Sequence, residues 1–525
     1  MTKKSISRLL QASLMCCLAV LFTACEEFGM ESNPTPSYLS LNTDDVTLKV
    51  GDTYVRKAIV ACTAVVIYSS SNEAVATVDQ AGKVTAVGEG TATITAQATG
   101  YDAAGKKIYQ PASVSYQVTI TPVTVPATSL TLNKTMEVLV KNGDALTITA
   151  TVTPSAATFT WESSDEAVAT VVNGVVTPVG NGIATITAKS GDVKATCEVF
   201  VGNVVDLSSE PSDYSAADYD ILTGTLSSMH HINILGRKVA FDGMGADYIE
   251  CFYDVTIYLT DGKTNTVNEY KSAPANVAGI QIGGAGTTLT INAETAGTGI
   301  LNVTGGDDGA GIGTGYAWSS AVTGGNIVIN GGVINATGGK WNGGAAGIGT
   351  GYASNATNTC GAITINGGVI NATGSYKAGL GGAGIGTGGA LAETGSTSNQ
   401  CGAITINGGT VTATGAERAT GIGTGTSYDG GAASNNTCGA ITIGTGITSV
   451  TAKKGDGAAW CIGMGTGYGT SATTNCGVIK FGTEQVFDGT AATGTWTPNP
   501  MVADNYGGLT LAISGGTWTL TPVAP

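Results

Sequence analysis

Through the C-terminal half of the chain, apolar and polar residues alternate in short runs that return at a fixed interval. Ala362-Ile363-Thr364-Ile365 and Val369-Ile370-Asn371-Ala372-Thr373 each put every second side chain on one face, which is the period of a half-buried strand. The phrase Gly311-Ile312-Gly313-Thr314-Gly315 is echoed at Ile348, Ile385, Ile422 and Ile462, with marker isoleucines 36, 37, 37 and 40 residues apart. A second phrase, Cys360 to Gly368, travels with it and is echoed from Cys401 and Cys438, more loosely from Gly324 and Cys476. A unit of this size holds too few apolar residues to bury a core alone, so successive units must stack.

The pattern predicts three strands per coil: Ala362–Ile365, Val369–Thr373 and Ala383–Gly386. Tight turns at Asn366-Gly367-Gly368 and Thr373-Gly374 separate them, and Tyr352 to Thr359 is left as a polar corner loop. Residues 280–304 fit the same frame loosely, and the last coils decay through Ile479 toward Leu509–Leu511 and Thr517–Leu520. Six or seven coils follow, with residues 275–525 as the solenoid. The unit resembles the glycine-rich repeat of right-handed parallel β-helices in bacterial surface adhesins and carbohydrate-binding-type β-helix proteins, over about residues 275 to 480. That resemblance implies a fold more than an activity.

A different repeat lies upstream. Ser70-Ser71-Asn72-Glu73-Ala74-Val75-Ala76-Thr77-Val78 reappears 93 residues later as Ser163-Ser164-Asp165-Glu166-Ala167-Val168-Ala169-Thr170-Val171. Each copy continues into alternating strands divided by glycine turns, as a small β-sandwich requires. These stretches resemble the bacterial Ig-like domain of group 2, over residues 36–122 and 126–202, which implies spacer or adhesion modules. Residues 204–274 are less regular and read as the N-terminal cap of the solenoid. The fold class expected is all-β: two Ig-like sandwiches followed by a capped parallel β-helix.

Lys3, Lys4 and Arg8 precede an apolar stretch ending Leu21-Phe22-Thr23-Ala24-Cys25. This is the layout of a signal peptide over residues 1–24. It resembles a bacterial lipoprotein signal, which implies acylation of Cys25, a tether over residues 25–35, and a surface-exposed location on the cell outer membrane. Loss of residues 1–24 takes the net charge from −15 to −18, a balance that excludes nucleic acid as a natural partner.

Chemistry-bearing residues are sparse. From Gly311 to Ala452 only Lys340, Lys377, Glu393, Glu417, Arg418 and Asp429 are charged, and they sit at different phases of the repeat. No nucleophile, base and oxyanion set can be assembled from them, so the protein is expected not to be an enzyme and to need no cofactor or metal. Asp307-Asp308 is expected to be solvated. His230 and His231, the only histidines, would point to opposite faces of a strand. Cys360, Cys401, Cys438 and Cys476 fall on one line as a thiol ladder, and Thr314, Thr350, Thr387 and Thr424 form another, flanked by glycine rather than by the second threonine an ice-binding face needs.

Tyrosines follow the marker phrase in an otherwise aromatic-poor solenoid: Tyr316, Tyr352 and Tyr468 after Gly-Thr-Gly, and Tyr428 four residues beyond Thr424. A spaced aromatic column can stack on sugar rings, so these four are the candidate ligand-binding residues. The function expected is non-catalytic adhesion or carbohydrate binding at the cell surface, toward a glycan or a host surface protein. A purely structural surface protein and a polysaccharide-degrading β-helix are the alternatives.

Overall fold

The computed structural model describes residues 35–523 apart from 37–38, 61–64, 100–108, 124, 228–229, 269–275, 296, 340, 490–495 and 498–500, so the signal segment and Cys25 lie outside the described residues. The chain divides into two compact units, Met1–Val125 and Pro126–Pro525.

The first unit is a β-sandwich. One sheet runs Val46–Lys49, Ala112–Thr121, Gly90–Ala98, Val66–Ser70, and the other Thr53–Val55, Lys83–Ala86, Ala76–Val78. Alternation along Gly90–Ala98 and Ala112–Thr121 turns Ala92, Ile94, Tyr116, Val118 and Ile120 inward against Val75 and Val84. Arg56 is buried at the rim, where its guanidinium donates to the Asn42 and Asp44 carbonyls and lies 4.2 Å from the Tyr116 ring centroid.

The second unit opens with a sandwich of the same plan, pairing Thr160–Ser163, Gly182–Ser190, Val193–Asp206 and Met136–Val140 over a sheet of Leu146–Thr147, Val175–Pro178 and Ala169–Val172. Its strand Val193–Asp206 is 14 residues long. The first part pairs antiparallel with Gly182–Ser190 inside the sandwich, and Asn203–Asp206 then pairs parallel with Asp220–Thr223. The last strand of the sandwich is therefore also the first strand of the solenoid. Met136, Phe200, Ile221, Ala240 and Tyr258 bury a shared apolar seam there. Thr295 Oγ1 accepts from Thr135 N at 2.8 Å and donates to the Met136 carbonyl at 2.9 Å. Glu294 Oε1 and Oε2 accept from the Val138 and Asp261 amides at 2.6 and 2.7 Å.

This corrects the expected cap over 204–274. That segment is itself coiled: Tyr214–Ala216, Ile232–Ile234 and Ile249–Cys251 are the first parallel strands of a nine-stranded ladder that continues through the marker phrases to Ile462–Gly463. Nine coils therefore replace the six or seven expected. The end of the solenoid is covered by the second sandwich instead, which removes an exposed β-edge.

Three parallel faces form the β-helix. Face one stacks strands such as Ile363–Ile365, face two strands such as Val369–Thr373, and face three the Ile-Gly pairs. Registers are in phase, so like side chains stack: Ile232, Ile249, Ile280, Ile312, Ile348, Ile385, Ile422 and Ile462 form one column. Ile327, Ile363, Ile404, Ile441 and Ile479 form another, all without solvent exposure. The glycine after each marker explains the phrase. Gly386 has φ +133°, and a Cβ there would lie 1.8 Å from the Gly423 carbonyl oxygen of the next coil. Gly349 meets Gly386 in the same way.

The supposed corner loop is a second correction. Between faces three and one the chain makes two more parallel ladders of five strands each, exemplified by Ala353–Ser354 and Thr357–Cys360. Their interior is polar and closed. Thr314, Thr350, Thr387 and Thr424 have no exposure, and their hydroxyl oxygens accept from the amides of Gly351, Gly388, Gly425 and Gly465. The side chains of Asn358, Asn399 and Asn436 donate to backbone carbonyls within the same lobe. Burial of the threonine ladder leaves it no ice-facing surface. Antiparallel strands Asp504–Tyr506, Leu509–Ser514 and Thr517–Pro522 close the far end, the last pairing with Val450–Lys453.

Candidate functional site

The tyrosines do not share a column. Counted from the marker isoleucine, Tyr316 and Tyr352 stand at the fourth position, whereas Tyr428 and Tyr468 stand at the sixth, because Thr426-Ser427 intervene in one copy and Gly-Thr-Gly is displaced by two residues in the last. The structure accordingly makes two stacked pairs. Tyr316 and Tyr352 have ring centroids 5.3 Å apart and planes 16° from parallel, and Tyr428 and Tyr468 are at 5.8 Å and 12°.

The pairs differ in access. Tyr352 is 1% exposed, and burial pushes its hydroxyl pKa far up. The loop that covers it is held by Asp308, a buried carboxylate whose Oδ1 accepts from the Trp341, Asn342 and Gly343 amides at 2.9, 2.8 and 3.0 Å. Asp308 is thus an internal loop clamp, not the solvated turn acid expected. Tyr468 is 52% exposed. It belongs to a register column with Trp318, the buried Ser354, Leu391 and Tyr428, one residue per coil along the first side ladder.

A second exposed series lies on the neighbouring loops between faces two and three. Trp341 is 57% exposed, with the Lys377 ammonium 4.9 Å from its centroid. Tyr376 precedes Lys377, and its hydroxyl hydrogen-bonds Glu417, which raises the phenol pKa. Arg418 sits 5.0 Å from the Tyr468 centroid and pairs with Glu417 at 3.7 Å. The two series meet at Arg418 and Tyr468. Among the described residues of the β-helix, the exposed aromatic rings are Phe252, Tyr253, Trp318, Trp341, Tyr376, Tyr428 and Tyr468. All seven fall on the path that leaves face two and returns to face one. The outer surfaces of faces one and two carry threonine, valine and hydrogen-bonded asparagine rows instead, such as Asn330, Asn366 and Asn407.

Of the four tyrosines singled out in the sequence, Tyr428 and Tyr468 are exposed, Tyr316 is half-buried and Tyr352 is core, while Trp318, Trp341, Lys377 and Arg418 were not foreseen as their neighbours. Trp341 carries no repeat phase, so only the fold brings it beside the tyrosines, whereas Trp318 stands at the sixth position from Ile312, the phase of Tyr428 and Tyr468, and a count from the marker isoleucine finds it.

The remaining reactive groups are committed to structure. His230 and His231 both turn to Asp213 Oδ1, at 3.3 and 3.0 Å, because they precede the strand Ile232–Ile234 instead of lying in it. Burial works against the ionised Asp213, but the His231 amide and both imidazoles hold its pKa below the usual value. Cys360, Cys401, Cys438 and Cys476 stand in register as buried free thiols. No group of three or more metal-ligating side chains occurs among the described residues.

The two sandwiches match the family model of the bacterial Ig-like domain (group 2), over residues 39–107 and 126–199. No curated protein matches the chain. Among solved structures, domains 4 and 5 of the S-layer protein SbsC are 22% identical, covering 26% of this chain and 76% of that one at a TM-score of 0.13. Human protocadherin-24 EC1-2 is 11% identical, covering 33% and 99% at 0.16, and mouse cadherin-23 EC22-24 is 16% identical, covering 32% and 63% at 0.18. At these scores the solved structures carry no argument about function.

Proposed function

We propose that this is a non-catalytic adhesion protein of the bacterial cell surface, held to the outer membrane through lipid on Cys25, whose β-helix binds glycan along its aromatic edge. The observation that carries the reading is the confinement of the exposed rings to the path between face two and face one, where Tyr428 stacks on Tyr468 and Trp341, under Lys377, is more than half exposed on the adjoining loops. Aromatic faces receive the apolar face of a pyranose, and a series spaced by the coil repeat can receive successive sugars. The group 2 Ig-like domains suit a protein that works outside the cell. The non-catalytic reading is supported by the use of nearby carboxylates as structural ties: Asp308 by three amides, Asp429 by the Gly431 and Ser471 amides, Glu417 by Arg418 and Tyr376.

A glycan array probed with the protein lacking residues 1–24 tests the proposal. Selective binding, weakened by about tens-fold in the triple variant Trp341→Ala, Tyr428→Ala, Tyr468→Ala with far-ultraviolet dichroism unchanged, is expected. A blank array, or undiminished affinity in that variant, overturns the aromatic edge as a binding face.

A further inference from the structure

Only six charged residues occur between Gly311 and Ala452, and the two described cations among them both lie on the aromatic edge. Lys377 and Arg418 occupy the loops between faces two and three in successive coils. Each is set against an exposed ring, Lys377 on Trp341 and Arg418 on Tyr468. Neither loop is closed through its cation: Ser375 Oγ and the hairpin of Tyr376–Lys377 with Leu380–Gly381 hold the first, and Thr426 Oγ1, donating to the Glu417 carbonyl, ties the second. Lys377 forms no ion pair of 4.0 Å or less among the described residues, and Arg418 meets Glu417 only at 3.7 Å through Nε. Both cations thus lie over aromatic rings with donors left over. A guanidinium on a ring retains the planar fork that grips a carboxylate or sulfate.

We infer that the glycan bound along this edge is anionic, a polysaccharide whose acidic groups are received by Lys377 and Arg418 while its rings lie on Trp341, Tyr428 and Tyr468. The inference rests on the glycan-binding reading above and narrows its ligand class. Against a net charge of −15, or −18 without residues 1–24, such a ligand is repelled at long range and attracted along this edge where the two cations stand, within about one Debye length of 8 Å. Recognition is therefore local, and it depends on the placement of two side chains.

The test compares polygalacturonate with its fully methyl-esterified form, which keeps the ring and removes the charge, by titration of the whole protein. The acid is expected to bind at least about tenfold more tightly, and the double variant Lys377→Gln, Arg418→Gln to lose about that factor toward the acid while its affinity for the ester stays unchanged. Dextran sulfate in a third arm distinguishes sulfate from carboxylate as the group recognised. Equal binding of acid and ester, or an unaffected double variant, overturns the inference and leaves the glycan reading standing. If neither acidic polymer binds while the array finds a neutral glycan, the same conclusion follows; if every arm and the array are blank, both readings fall.

Discussion

Gly386→Ala is the sharpest test of the coil geometry, because its cost divides into two parts that a second glycine separates. The residue has φ +133°, so an alanine there bears the strain of a left-handed backbone, about 1 to 2 kcal/mol. Its Cβ would also stand 1.8 Å from the Gly423 oxygen and 2.8 Å from the Gly423 carbonyl carbon, both backbone atoms. Relief requires moving the next coil. That movement breaks the hydrogen bond from Thr387 N to Gly423 O, now 3.0 Å, and leaves buried groups unpaired at about 1 to 3 kcal/mol. The neighbour cannot yield freely, since Gly423 itself abuts Gly463. The sum is about 2 to 5 kcal/mol. Gly286→Ala is the control: its φ is +87° and nothing lies within 4 Å of the added carbon, so it carries only the backbone strain. Thermal unfolding of both variants, followed by circular dichroism, should show a depression of the transition at least twice as large for Gly386→Ala. Equal depressions would mean that the coils are not in contact at these glycines, and the stacking register would be wrong.

Three further outcomes can be measured. Asp308→Ala should cost about 2 to 3 kcal/mol by orphaning the buried amides of the 341–343 loop, and should shift tryptophan emission as Trp341 loses its fixed setting. Cys360, Cys401 and Cys476 should resist iodoacetamide at pH 8 in the native protein and react in guanidinium, because hydrogen bonding between neighbouring thiols together with burial holds Cys360 and Cys401 well above the ordinary thiol value and burial pushes Cys476 up to about 12, leaving almost no thiolate. Cys25→Ser should abolish acylation and move the protein out of the membrane fraction; unchanged partitioning would remove the lipid anchor from the proposal.

Much of this architecture was legible because its strongest signals are periodic. The marker phrases, the ITI runs and the cysteine line each report one column of the β-helix, and the column registers follow the sequence spacing. What escaped reading was strand whose interior is polar. In Thr357-Asn358-Thr359-Cys360 the inward residues are Asn358 and Cys360, so the alternation is genuine but an asparagine occupies the buried place. A hydrophobicity pattern records that as loop. The first coils were missed for a related reason. Strand Lys238–Ala246 spans nine residues and pairs with two later strands, so no fixed repeat length survives there. The site was half legible: tyrosine recurrence shows in the chain, but whether a ring points into a lid or into solvent depends on loops of unequal length.

The junction between sandwich and solenoid alters what an Ig-like spacer does here. A spacer on a flexible linker lets the module beyond it search many orientations, and no such linker exists between the second sandwich and the β-helix, since one strand serves both. The apolar seam and the Glu294 and Thr295 hydrogen bonds fix the two against each other, and burial raises the Glu294 pKa without removing its two amide donors. The second sandwich is therefore the end-plate of the solenoid, and its stability and that of the first coils are coupled. Truncation at residue 202 or 204, where sequence alone would cut, divides a continuous strand and exposes Phe200 on one fragment and Ile221, Ala240 and Tyr258 on the other. A fragment beginning at Pro126 keeps the strand whole, so it should unfold in one transition with the first coils, while a fragment beginning at Val204 should be poorly soluble and lose cooperative melting. If the shorter fragment melts at the same temperature as the longer one, the sandwich contributes nothing to the solenoid, and the shared strand is a connection without energetic consequence.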